Sequence, residues 1–81
     1  MKNFNEVVVY SSTTWPPCKQ MKEFLSMHSI VFEEKLVDKD PDALTELVEK
    51  TGIRGTPVMI AGEDVVVGFD KNKIRNIFDL N

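Results

Sequence analysis

Apolar positions fall in short blocks along the chain, some as continuous runs and some at helical spacing. Val7 to Tyr10 is a continuous apolar run rich in β-branched valine, which predicts a strand covered on both faces. Ser11 to Thr14 reads as a polar loop. A helix is predicted next, because Pro16 and Pro17 are tolerated in a first turn whose N–H groups have no intrahelical partner. Within it Cys18, Met21, Leu25 and His28 recur three or four apart, with Phe24 beside them, so they share one face. Ile30 to Val37 reads as a second strand. Asp40-Pro41 combines an N-cap acceptor with proline at the first helical position. Ala43, Leu44, Leu47 and Val48 then form a buried stripe that Gly52 ends as a C-cap. Pro57 to Ile60 is a third strand, "AGED" a hairpin turn and Val65 to Val67 a fourth strand. Asp70 caps a last helix whose Ile74, Ile77 and Phe78 face inward. The order β-α-β-α-β-β-α predicts an α/β domain over residues 1–81, with one four-stranded mixed sheet and helices on both faces.

Composition narrows what such a domain does. The chain has 81 residues, 42% hydrophobic and 28% charged, so it is globular and not disordered. A chain this short buries only about 60–65% of its surface on folding. One cysteine excludes an intramolecular disulfide, so the apolar core alone must hold the fold; this also suits a reducing compartment. A net charge of −3 gives no reason to expect nucleic-acid or anionic-membrane partners. Neither a secretory h-region nor a spanning helix fits "MKNFNEVVVY". A cytoplasmic monomer is the expectation.

Three segments carry a resemblance across nearly the whole chain: "TTWPPC" after the first strand, "RGTPVMI" at the third and "VGFDKNKI" after the fourth. In that order the chain resembles a glutaredoxin. The last two segments most resemble the short glutaredoxin-like redoxins that donate electrons to ribonucleotide reductase. The resemblance implies the thioredoxin fold and thiol–disulfide exchange by a Cys-x-x-Cys pair at the start of the first helix. The physics of such a site is independent of the resemblance: a thiol in a helix's first turn faces unpaired N–H groups and the positive end of the dipole, which favour the thiolate. In the family the first cysteine attacks the substrate disulfide and the second resolves the mixed disulfide.

At the most important position the chain departs from this pattern. Trp15 aligns with the attacking cysteine and Cys18 with the resolving one. An indole is neither nucleophile nor leaving group in thiol exchange, so the two-cysteine cycle is closed. Natural loss of the reaction, deliberate alteration and a single-base change or misreading between Cys and Trp codons all remain open explanations. Cys18 reads either as a small buried hydrophobe or as a usable thiol, with Lys22 four residues on. Trp15 reads as an exposed residue without a role, or as a stacking surface for a peptide or glutathione.

The resemblance also assigns substrate-binding positions. Thr56-Pro57 corresponds to the family's cis-proline, beside which backbone groups hold an extended substrate. On the residues alone, Pro57 is equally an edge-strand start. Gly68-Phe69-Asp70 reads locally as strand end, core aromatic and helix N-cap. By resemblance it binds the carboxylate of glutathione or contacts a protein partner, and a helix N-terminus suits an anion. Pro16 and Pro17 line the motif. Many relatives that use glutathione carry a lysine where Ser12 stands, which weakens that assignment. His28, close to three helical turns beyond Cys18, is too remote to act as its base. A metal site lacks ligands, since one Cys and one His fall short of a tetrahedral set. No bound cofactor is expected, with glutathione as a co-substrate. The implied substrate is a protein disulfide or glutathione mixed disulfide, with thioredoxin reductase or ribonucleotide reductase as partners. The competing class is a non-catalytic module that binds an extended thiol peptide.

Overall fold

A computed structural model of the protein describes residues 6–80. The reading of "MKNFNEVVVY" as neither leader nor span falls partly on residues 1–5, outside the described residues. Among the described residues, no helix is long and apolar enough to cross a membrane.

Seven elements follow in order: β1 (Val7–Ser11), α1 (Pro16–Met27), β2 (Glu33–Leu36), α2 (Pro41–Thr51), β3 (Val58–Ala61), β4 (Asp64–Val67) and α3 (Lys71–Phe78). They form one four-stranded sheet in the order β2-β1-β3-β4. β1 runs parallel to β2 and antiparallel to β3, and β3 pairs antiparallel with β4. The expected α/β order and mixed sheet are therefore present. β1 is central and buried along its whole length, which is why it needs no polar alternation.

Side chains alternate across a strand, so β1 feeds two cores. Val7 and Val9 join Met59, Ala61 and Val66 under Met21, Phe24 and Leu25 of α1 and Ile74, Ile77 and Phe78 of α3. Val8 and Tyr10 meet Val58 and Leu47 of α2 on the opposite face. The local start and stop signals of α2 act as read. The Asp40 carboxylate accepts from the Asp42 N–H at 3.0 Å with Pro41 following, and Gly52 closes α2 at φ 73°.

Several boundaries differ from the sequence reading. β3 begins at Val58 and not Pro57. Ala61 and Asp64 of the expected turn belong to β3 and β4, leaving Gly62 and Glu63 between them. Ser11 ends β1 and is not part of the polar loop; its buried hydroxyl donates to Glu34 at 2.8 Å. The second strand is shorter than Ile30–Val37, because Ile30 closes α1. Ser29 turns into the left-handed region at φ 59° and donates to the Ser26 carbonyl, and the Ile30 N–H bonds the Leu25 carbonyl at 2.9 Å. This is the paired hydrogen-bond pattern of a Schellman stop. It seats Ile30 beneath the helix and leaves Val31 89% exposed, so pairing starts only at Glu33.

Candidate functional site

The site is built where β1 runs into α1. Pro16 and Pro17 occupy the first helical positions and Cys18 follows, its N–H bonded to the Trp15 carbonyl at 3.0 Å. Trp15 is the N-cap residue by backbone geometry, but its side chain makes no capping bond. The indole is 55% exposed, whereas Cys18 has no solvent exposure.

Hydrogen bonds join most of the positions that the sequence singles out. The Ser12 N–H donates to Cys18 Sγ at 3.4 Å, and the Ser12 and Thr56 hydroxyl oxygens lie 2.8 Å apart. The Thr56–Pro57 peptide is cis and the Pro57 side chain is fully buried. The Pro57 carbonyl accepts from the Gly68 N–H at 2.8 Å, and the Gly68 carbonyl accepts from the Asp70 N–H at 3.1 Å. Asp70 in turn caps α3, its carboxylate accepting from the Lys73 N–H at 3.1 Å. Phe69 leans back toward α1 and meets Phe24 edge-on at 5.8 Å. The loop before α1, the loop before β3 and the turn into α3 thus meet at one end of the sheet. Trp15 and Pro16 stand at its exposed rim, and Pro17 is half-buried.

Lys22 does not serve the thiol. It pairs with Glu34 of β2. Burial disfavours the Glu34 carboxylate, but hydrogen bonds from Lys22 and Ser11 outweigh it and hold the group below the usual range. His28 caps the far end of α1 with its ring 4.5 Å from Phe24. Among the described residues, no cluster of three His, Cys, Asp or Glu could hold a metal ion.

Two supporting contacts carry no sequence signal, because each joins distant segments. One is the Ser12–Thr56 bridge; in the sequence Ser12 is informative only in not being lysine. The other is Asp38, which accepts from the Thr13 N–H at 3.0 Å and the Thr13 hydroxyl at 2.6 Å. These bonds hold its carboxyl below the usual range and pin the loop before α1. The sheet's other face has its own polar centre. Glu46 of α2 accepts from Lys35 at 2.6 Å and from the buried Tyr10 hydroxyl. The Lys35 and Tyr10 hydrogen bonds hold Glu46 at about 2. Burial, followed by the bond to Glu46, raises Tyr10 above its usual value.

Comparison with known proteins agrees with this architecture. The glutaredoxin family profile matches residues 7–66. The glutaredoxin-like protein NrdH of Lactococcus lactis is 31% identical over 71 residues, spanning 88% of this chain and 97% of its own. A solved glutaredoxin from Archaeoglobus fulgidus superposes with a TM-score of 0.82 at 27% identity, covering 90% of this chain and 85% of that one. The glutaredoxin-like NrdH-redoxin from Escherichia coli, described as having a thioredoxin-like activity profile, superposes at 0.77 with 28% identity, covering 89% and 93%. The chain therefore belongs to the glutaredoxin family, on a thioredoxin-like fold.

Proposed function

We propose that this chain is a thiol–disulfide redox protein of the glutaredoxin type whose dithiol cycle is interrupted at position 15. One observation carries the reading: the accessible motif position is an indole, 55% exposed, and the chain's one cysteine, three residues on, is fully buried. Attack by the Cys18 thiolate on a disulfide R–S–S–R′ forms Cys18–S–S–R and expels R′–S⁻. With no second thiol in the chain, an external thiol must attack that mixed disulfide to regenerate Cys18. Glutathione is the co-substrate proposed for this step, although Ser12 offers it no cation. The substrate is a protein disulfide or a glutathione mixed disulfide. An extended substrate lies against Thr56 and Pro57, with Gly68, Phe69 and the Asp70 helix start taking its far end. Thioredoxin reductase as donor, ribonucleotide reductase as acceptor and a cytoplasmic location belong to the same proposal.

Reduction of a glutathione mixed disulfide tests it, driven first by glutathione and glutathione reductase and then by thioredoxin reductase. The expected result is turnover far below that of the Trp15→Cys variant. Turnover equal to that variant, and abolished by Cys18→Ser, would overturn the proposal.

The intact hydrogen-bonded run from Ser12 through Thr56 and Pro57 to Gly68 favours a second reading, a non-catalytic module that holds an extended thiol peptide. Calorimetric binding of such a peptide, unchanged in Cys18→Ala and unaccompanied by turnover, would select it.

A further inference from the structure

On the sheet face covered by α1 and α3, the two helices leave an open groove of about 380 Å³. Its floor is aromatic. Phe24, 7% exposed, meets Phe69 edge-on, and Met27 stands 79% exposed on the α1 rim. The α3 rim is cationic. Lys71 and Arg75 are four residues apart and therefore share a face. The Lys71 ammonium lies 5.9 Å from the Phe69 ring centre, and the Arg75 guanidinium lies 5.5 Å from that of Phe24. Ring faces attract cations, so the floor holds both charges at the groove edge. Neither makes an ion pair among the described residues, and Arg75 Nε is a buried donor without a hydrogen-bond partner. The lining has a single carboxylate, Glu23.

The chain is net negative, yet this groove sets two cations, unpaired among the described residues, against one carboxylate over an apolar floor. The volume is at the small end of ligand pockets, roughly 300–1,000 Å³, and suits one or two side chains of a docked segment. Charge complementarity selects an acidic segment with an apolar anchor, and such complementarity sets specificity and register. We propose that the α1–α3 groove docks an acidic segment of a protein partner, with its apolar side chain on Phe24, Phe69 and Met27 and its carboxylates on Lys71 and Arg75. Because Phe69 adjoins the turn into α3, a partner held there also reaches the rim of the candidate site. The docking does not use Cys18 and stands whether or not that thiol reacts.

The test uses the full-length, isotope-labelled protein. The probe is an acetylated ten-residue peptide of glutamates around one phenylalanine and one leucine; its control has lysine at every glutamate. Titration with the acidic peptide is expected to shift the amide resonances of Met27, Phe69 and Lys71, and binding is expected to weaken as salt rises. The Lys71→Gln, Arg75→Gln double variant should bind about tenfold more weakly, and Glu23→Gln about twofold more tightly. If the double variant does not fold, Lys71→Glu at its exposed position carries the same test and should abolish binding. Equal binding of both peptides, shifts confined to other surfaces, or an affinity unmoved by Lys71→Glu would overturn the proposal. Capture by phosphatidylserine vesicles without peptide binding would overturn it as well.

Discussion

The hydroxyl oxygens of Ser12 and Thr56 lie 2.8 Å apart, joining two loops separated by 44 residues directly beside the buried thiol of Cys18. Ser12 also directs its N–H to the sulfur at 3.4 Å. One short side chain therefore both ties the loop before α1 to the loop before β3 and helps to enclose Cys18. Ser12→Ala should lower stability by about 1 kcal/mol, as expected for one net hydrogen bond. It should also speed thiol–disulfide exchange of Cys18 with a small disulfide reagent in native buffer, read as the thiolate that the reagent releases. Parent and variant should react equally in denaturant. Identical native rates would show that the bridge does not control access.

Trp15→Cys should create an oxidisable pair. The Cys18 N–H already bonds the Trp15 carbonyl within the first turn of α1, and the spacing is that of a Cys-x-x-Cys motif. Mild oxidation should remove both titratable thiols of the variant without forming a dimer, whereas the parent keeps its single thiol. Two thiols surviving oxidation would contradict the alignment of Trp15 with the attacking cysteine.

Gly68 stands at φ +75°, with open space where a Cβ would project. Substitution there is disfavoured by backbone conformation and not by crowding. Gly68→Ala should therefore cost roughly 1 kcal/mol. Gly68→Asn should cost less, because asparagine tolerates the left-handed region. Denaturant unfolding of the two variants checks the ranking. Equal losses would mean that something other than φ limits the position.

Stability should fall in acid through Glu46. Its folded value of about 2 lies below the usual 4.5, held there by Lys35 and then by Tyr10. A carboxyl depressed by folding contributes its full stabilisation above about pH 4.5 and loses it as pH falls toward 2. The side chain is one-third exposed, so solvent screening limits the contribution to about 1 kcal/mol. Glu46→Gln should flatten the stability curve between pH 5 and about 2 and leave its shape at neutral pH unchanged. Urea midpoints across that range provide the measurement. A parallel acid loss in parent and variant would remove Glu46 from the account.

Much of this protein was determined by short-range sequence signals. Asp40-Pro41, Gly52 and Asp70 mark helix ends because caps depend on one residue and its nearest backbone groups. The run Val7–Tyr10 signals a central strand because only a strand covered on both faces dispenses with polar alternation. The family itself is legible in three short motifs. Tertiary structure decided what depends on groups distant in the chain. Ile30 left its predicted strand because closing α1 and filling the core beneath it won over sheet pairing. Lys22 turned from the thiol to Glu34, a carboxylate that only parallel pairing of β1 and β2 brings near. The Ser12–Thr56 bridge and the cationic rim over Phe24 and Phe69 likewise arise only once α1, β3 and α3 share one end or one face of the sheet. Local chemistry sets where elements begin and end; which polar side chains meet depends on loop closure and packing, which no short window of sequence contains.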